Sequence, residues 1–126
     1  MKIIFTILIT IYSLNTYSQM NDISGTYLDK IEENDIIVEF ELQLKPDGTF
    51  DFRFYQDQRC YEETERAQGT WKLENGKIIF DTPPHLITET HQISFSGTEA
   101  EVKSDTLTFT QSPSFWIKKK ALRKVK

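Results

Sequence analysis

The chain alternates apolar and polar residues over long stretches that follow its first eighteen positions. In VEFELQLK (38–45) and again in TFDFRFYQ (49–56), every second side chain is apolar. A period of two predicts a β-strand that buries one face and exposes the other. The PDG sequence between the two runs predicts a tight turn, because Pro46 presets φ at the first turn position and Gly48 tolerates a positive φ.

This turn also predicts how the two strands pair. A three-residue loop that ends in a glycine bulge would place Lys45 opposite Thr49. The apolar pairs that follow on one face are Leu44 with Phe50, Leu42 with Phe52 and Phe40 with Phe54. On the other face the same register brings Glu41 to Arg53, and a slip of one residue would spoil both faces.

A second hairpin is predicted in TWKLENGKIIFD (70–81). Asn75-Gly76 is a strong signal for a two-residue hairpin turn. Pairing outward from the turn gives Glu74 with Lys77, Leu73 with Ile78 and Trp71 with Phe80. Opposite charges and large apolar side chains then meet across the strands, which favours this register.

The rest of the chain predicts further strands and no long helix. We expect strands at Gly25–Asp29, Thr88–Phe95, Ala100–Lys103, Thr106–Thr110 and Phe115–Lys118. Residues 57–68 are interpreted as a polar loop or a single helical turn. The fold class is therefore all-β, an up-and-down antiparallel meander of about eight or nine strands that closes into a barrel, because closure removes the sheet edges.

The first eighteen residues have the pattern of a secretory signal peptide. Lys2 precedes an apolar run, Ile3–Leu14, and Ser18 is a small residue at a plausible cleavage point. A run of this length is shorter than the ~20 residues that cross a bilayer as a helix. We therefore expect a helical signal peptide at 1–18, one barrel domain at 19–126, and a secreted or periplasmic protein without lipidation or a stable membrane anchor.

Charge is unevenly distributed along the chain. Residues 19–117 hold 8 basic and 19 acidic residues, whereas KKKALRKVK (118–126) holds 6 basic residues and no acidic ones. The acidic body argues against nucleic acid as a partner, since phosphate contacts need a cationic surface. It favours a basic protein partner or simple solubility.

The basic tail is interpreted as a final strand that frays into solvent. The alternative is an anchor that binds either anionic lipid or an acidic patch on a second copy of the chain.

Three motifs together resemble a known group of proteins. ISGTY (23–27), LQLKPDGTFDF (42–52) and GTWKLENGKIIF (69–80) look like the small exported lipocalin-like proteins of the Bacteroidota. They are more distantly similar to the N-terminal domain of the copper-resistance lipoprotein that senses surface contact. The resemblance implies a lipocalin-like barrel in which Tyr27, after Gly25, closes one end.

Two departures from the copper-resistance domain limit what the resemblance implies. The Cys-x-x-Cys pair of that domain is absent here, and so is its lipidated N-terminal cysteine. Copper binding and outer-membrane anchoring are therefore not carried over. The fold and an exported location remain as expectations, and a fold alone does not define a function.

Candidate chemistry in the sequence is sparse. The nitrogen and sulfur ligands that transition metals prefer are limited to Cys60, His85 and His91, so we expect no metal site and no cofactor. Cys60 has no local motif that would supply a general base, and the acidic loops lack a calcium-binding pattern. His91 is predicted to lie on a barrel strand with Ile93 and Phe95 on its face. We expect a protein that is not an enzyme.

Aromatic side chains are the remaining candidates for a binding site. In a small barrel, inward-facing aromatic residues form either a filled core or the wall of a ligand cavity. The candidate ligand-binding residues in the barrel interior are Phe40, Phe52, Phe54, Trp71, Phe80 and His91. The first hypothesis is a non-enzymatic binding module for a small apolar ligand or a cell-envelope component. The alternative is an envelope-side inhibitor or immunity protein that binds a basic protein through its acidic face.

Overall fold

Eight antiparallel strands close into a barrel in the computed structural model, which describes residues 19–125. The strands are β1 (Gly25–Glu33), β2 (Ile36–Leu44), β3 (Thr49–Gln58), β4 (Tyr61–Glu74), β5 (Lys77–Asp81), β6 (Glu99–Lys103), β7 (Thr106–Gln111) and β8 (Ala121–Lys124). Each strand pairs with its neighbours in sequence, and β8 pairs with β1. The predicted fold class is confirmed, whereas the predicted signal peptide at 1–18 lies outside the described residues.

Both predicted hairpins have the predicted registers. In β2–β3 the apolar pairs are Leu44 with Phe50, Leu42 with Phe52 and Phe40 with Phe54, and Glu41 faces Arg53. In β4–β5 the pairs are Glu74 with Lys77, Leu73 with Ile78 and Trp71 with Phe80. Asn75 and Gly76 both have positive φ (53° and 78°), as the two-residue turn requires. Local turn chemistry and side-chain alternation were sufficient here because each hairpin is a local structure.

The interpretation of residues 57–68 as a loop or helical turn is wrong. They form the tip of the β3–β4 hairpin, in which Gln58 pairs with Tyr61 and Phe54 with Glu65. Arg59 has a positive φ of 56° at the turn. The segment is polar because this end of the hairpin extends past the barrel core, so that hydrophobic alternation is not needed to form the strands.

Two of the predicted strands, Thr88–Phe95 and Phe115–Lys118, are wrong. Residues 88–95 form a loop in which only Gln92 makes a bridge, to Arg66 of β4. The Gln92 side chain accepts hydrogen bonds from the backbone N–H groups of Thr88 and Glu89, and these bonds hold a turn instead of a strand. Residues 115–118 are also turns, in which the N–H of Ile117 donates to the Ser114 carbonyl.

The basic tail contains the strand that closes the barrel. β8 pairs with β7 through Leu107 and Leu122 and with β1 through Tyr27 and Lys124. Leu122 is fully buried, so this strand is anchored in the core despite the charge of its neighbours. The final strand thus begins at Ala121, six residues after the predicted start at Phe115.

One end of the barrel is covered by the residues before β1. Residues 19–23 are helical, and Met20 and Ile23 pack against the core. The hydroxyl of Tyr27 donates a 2.6 Å hydrogen bond to the Ile23 carbonyl, and the Lys124 ammonium donates to the Asp22 carbonyl at 2.9 Å. Among residues 19–125, no helix is both long enough and apolar enough to cross a lipid bilayer.

Candidate functional site at the barrel mouth

The barrel interior is filled by side chains. Its centre is a cluster of phenylalanine rings, each at most 2% exposed: Phe50, Phe52, Phe80, Phe95 and Phe109. Phe95 comes from the 82–98 loop, and its ring centroid lies 4.6 Å from that of Phe52 and 5.4 Å from that of Phe80. The loop therefore folds one aromatic ring into the barrel, where it occupies the space that a ligand would need.

Four of the six candidate binding residues belong to this packed interior. Phe40, Phe52, Trp71 and Phe80 are between 1% and 7% exposed. Trp71 lies toward the covered end, where its indole Nε1 donates a 2.9 Å hydrogen bond to the Lys45 carbonyl. These contacts are those of a structural core. The two other candidates, Phe54 and His91, are not fully buried and could contact a ligand.

The opposite end of the barrel is open because the strands differ in length. β1 to β4 contain 9, 9, 10 and 14 residues, whereas β5 to β8 contain 5, 5, 6 and 4. The first four strands therefore continue beyond the others. We call the parts at 29–33, 36–40, 54–58 and 61–65 the sheet extension. Its inner face continues the inner face of the barrel.

A pocket of about 290 Å³ lies at this mouth. It is lined by Phe54, Gln56, Glu63, Glu65, Ile93 and Trp116. Alternation along β3 puts Gln56 on the same face as Phe54 and Phe52, and alternation along β4 puts Glu63 and Glu65 on the same face as Ala67. The strands thus place two carboxylates where the apolar interior ends.

Aromatic rings form one wall of this mouth pocket. The Trp116 ring centroid lies 4.9 Å from that of Phe54 and 6.2 Å from that of Phe40. Trp116 belongs to a turn segment that is held in place by the buried side chain of Ile117 and by a backbone hydrogen bond from Lys119 to Phe109. Ile93 is fixed by its N–H, which donates to the Arg66 carbonyl at 2.8 Å.

Carboxylates form the facing wall. Glu63 accepts hydrogen bonds from the Gln56 amide at 3.3 Å and from the Tyr61 hydroxyl at 2.9 Å. Glu65 is only 18% exposed, and its Oε1 lies 3.6 Å from Nδ1 of His91. Burial, together with a hydrogen bond to Glu63, raises the pKa of Glu65, while His91 acts in the opposite direction.

A lysine ammonium already rests on the same aromatic cluster. Nζ of Lys120 lies 4.6 Å from the centroid of the Phe40 ring and forms an ion pair with Asp29. Phe40 in turn contacts Phe54, with ring centroids 5.0 Å apart. The aromatic rings of the mouth therefore accommodate a cation from the side of β8.

His91 lies outside the barrel interior. Its side chain is 69% exposed, and its carbonyl accepts a hydrogen bond from the N–H of Arg66. The histidine borders the mouth through its contact with Glu65, and the predicted position on an inward strand face is wrong. Of the candidate residues, Phe54 lines the mouth pocket and Phe40 packs behind it.

Sequence reasoning missed most of the pocket. Trp116, Gln56, Glu63, Glu65 and Ile93 were not among the candidates. One signal was present: from Trp71 backward, every second residue of β4 is Gly69, Ala67, Glu65, Glu63 and Tyr61. Continued alternation would have placed the two glutamates on the inner face. No comparable sequence signal brings Trp116 or Ile93 to the same place.

Other pockets on the described surface have more polar linings than the mouth pocket. A polar groove of about 370 Å³ on the outside of β2–β4 includes Arg53 and Arg66. Arg53 is already bound to Glu39, with Nη2 and Oε1 2.6 Å apart.

Within the described part of the chain, no three His, Cys, Asp or Glu side chains are grouped so that they could hold a metal ion. Cys60 is an exposed free thiol at the β3–β4 turn.

The fold and the site together define a closed eight-stranded antiparallel barrel with a filled interior and an aromatic, acidic pocket at one mouth. Comparison with protein-family models, with curated proteins and with solved structures gives no match for this chain.

Proposed function

We propose that this protein is a non-enzymatic, lipocalin-like binding module that holds a small apolar ligand at the mouth of its barrel. The observation that carries the proposal is the pocket between Phe54, Trp116 and Ile93, which is open to solvent and lined by two aromatic rings in contact with each other. We further propose that the chain is exported after loss of residues 1–18, as the pattern of the first eighteen residues suggests.

The mouth suits an apolar ligand better than the interior does. Phe95 and its neighbours already fill the centre, so a ligand there would have to displace packed rings. At the mouth, Phe54 and Trp116 are half-buried and retain exposed ring surface. Covering that surface would contribute roughly 25 cal/mol for each Å² of apolar area. A pocket of about 290 Å³ has room for a compact ring system or a short acyl chain.

The proposal is tested with N-phenylnaphthylamine, a neutral apolar dye whose fluorescence rises when it leaves water. We expect saturable binding to the folded protein and loss of binding in Trp116→Ala. The matched control is Phe115→Ala, since Phe115 is the next residue in the chain and is 86% exposed. Circular dichroism verifies folding, and Ile93→Ser provides a second variant of the pocket if Trp116→Ala unfolds.

Two results would overturn the proposal. One is the absence of saturable dye binding to the folded wild-type protein. The other is unchanged dye affinity in both pocket variants, because the dye would then bind elsewhere on the surface.

The structure also offers an observation in favour of the alternative function, an inhibitor directed at a basic protein. Asp57 and Glu62 lie directly opposite each other near the tip of the β3–β4 hairpin, and like charges in this position are destabilising. A cationic partner would relieve that repulsion. Reversing both charges, as Asp57→Lys and Glu62→Lys, should abolish salt-sensitive binding to a basic protein surface. If the wild-type protein captures no partner at low salt that is released at high salt, this alternative fails.

A further inference from the structure

We infer that the ligand of the mouth pocket is an organic cation, an apolar or aromatic body that carries an ammonium group. The inference rests on the proposed function of the pocket and adds the chemical class of its ligand. The aromatic wall would take the apolar body, and the carboxylates of Glu63 and Glu65 would take the ammonium group.

Among residues 19–125, the two carboxylates have no lysine or arginine partner. Within residues 19–125, Glu63 forms no ion pair, and the one basic group paired with Glu65, which is also hydrogen-bonded to Glu63, is the exposed His91, with Nδ1 and Oε1 3.6 Å apart. The hydrogen-bond donors to Glu63 are the amide of Gln56 and the hydroxyl of Tyr61, both of which are neutral. By contrast, Arg53 on the outer face is paired with Glu39. The negative charge of Glu39 is therefore neutralised on the outside of the sheet, whereas the charges of Glu63 and Glu65 at the pocket have no lysine or arginine to neutralise them.

The surroundings strengthen the attraction for a cation. Glu65 is mostly buried, and a charge is screened less by solvent in such a position than on the open surface. The ring faces of Trp116 and Phe54 favour cations through their negative quadrupole. A carboxylate pair beside aromatic rings thus combines two independent interactions with an ammonium group.

Lys120 shows that this aromatic cluster already binds an ammonium group. Its Nζ lies over the ring of Phe40 on the β8 side. Asp29 neutralises this lysine, so that Lys120 does not oppose a second cation near Trp116. Glu63 and Glu65 lie on β4, a different strand from that of Asp29, and would neutralise the ligand in the same way.

The experiment compares three naphthalene probes of nearly equal size: naphthylmethylamine, naphthylmethanol and naphthoic acid. They carry a positive charge, no charge and a negative charge at neutral pH. Isothermal titration calorimetry of the full protein should show the amine binding about tenfold more tightly than the alcohol, and the acid binding most weakly. The order of affinity reports the charge preference, while the alcohol reports the apolar pocket alone.

Variants then locate the preference. In Glu63→Gln/Glu65→Gln the amine should lose its tenfold advantage, while the affinity for the alcohol stays unchanged. The matched control is Glu62→Gln, because Glu62 directly precedes Glu63 in the sequence but lies on the outer face of β4 by alternation. This control should retain the advantage of the amine.

The outcomes separate this inference from the proposed function. Equal affinity for the amine and the alcohol, with binding lost in Trp116→Ala, overturns the cation inference and leaves the apolar pocket in place. A preference for the amine that survives in the double variant also overturns the inference. Absence of saturable N-phenylnaphthylamine binding to the folded wild-type protein overturns the proposed function and, with it, this inference.

Discussion

The indole of Trp71 is hydrogen-bonded to the carbonyl of Lys45, 26 residues earlier in the chain, at 2.9 Å. The backbone N–H of Trp71 also donates to the Gly48 carbonyl at 2.8 Å. Two bonds from one residue thus connect the β4–β5 hairpin to the β2–β3 turn. Together with the β3–β4 ladder, they fix the relative position of two hairpins that were each predicted separately.

We expect Trp71→Phe to lower the free energy of unfolding by about 1–2 kcal/mol, from loss of the side-chain hydrogen bond and some packing. The Lys45 carbonyl still accepts a bond from Gly48, so it is not left unsatisfied. Trp71→Ala should cost about 3–5 kcal/mol, because it also leaves a cavity. Urea denaturation measures both values. Equal costs for the two variants would show that the ring itself contributes little.

Gly69 is required by a close backbone approach. A Cβ at this position would lie 2.0 Å from the Asp81 carbonyl oxygen and 3.0 Å from Cα of Thr82. Both atoms belong to the backbone and cannot rotate away, so Gly69→Ala should destabilise the protein by about 3 kcal/mol or more.

The control for this substitution is Gly76→Ala. A Cβ at Gly76 would meet no atom within 4 Å, and only its positive φ of 78° opposes the change. The expected cost is about 1 kcal/mol. If thermal unfolding shows that Gly69→Ala is no more harmful than Gly76→Ala, the strands are free to move apart at Asp81.

Tyr27 should make the barrel sensitive to alkaline pH. Burial, and secondarily the charge of Asp105, raises the pKa of Tyr27 to about 12 from an ordinary value of 10.0. Because the folded-state pKa is the higher one, the neutral phenol stabilises the fold fully below pH 10.0, and this contribution is lost as pH rises toward about 12.

Tyr27→Phe tests this contribution. It removes the 2.6 Å hydrogen bond to Ile23 and should cost about 1 kcal/mol near neutral pH. The variant should then lose less stability than the wild type over the alkaline range. Urea midpoints at a series of pH values measure the difference, and parallel curves for the two proteins would contradict the assignment to Tyr27.

Glu65 should weaken the fold at neutral pH. Its pKa is raised by burial and by Glu63, with His91 opposing the shift. A raised carboxyl pKa means that the ionised form is disfavoured in the folded state, so the destabilisation is present above the folded pKa. It is relieved as pH falls toward the ordinary value of 4.5.

Glu65→Gln should therefore raise the Tm at pH 7 by about 2–5 °C, and the gain should shrink on acidification. Differential scanning calorimetry across the acid range measures it. Glu89→Gln, at an exposed position in the 82–98 loop, is the control and should show a much smaller gain. A lower Tm for Glu65→Gln at pH 7 would mean that the His91 contact outweighs burial.

Several parts of the fold could be predicted from the sequence because they are local. The turn residues Pro46, Gly48, Asn75 and Gly76 specify which residues pair next to them, and alternation specifies which side chains face inward. The mouth pocket was not predictable in the same way. Trp116 and Ile93 come from irregular segments, and their positions depend on contacts with Phe40, Phe54 and Arg66 that lie far away in the chain.

The sequence by itself determined the all-β class, both hairpin registers and the apolar inner face, since these depend on neighbouring residues and a period of two. Only the tertiary structure decided that Phe95 fills the interior, that Leu122 in a basic tail closes the barrel, and that Glu63 and Glu65 face Trp116. The physical reason is burial. The barrel core takes apolar side chains from whichever segment can reach it, and the carboxylates remain at the mouth because burying them further would cost their hydration.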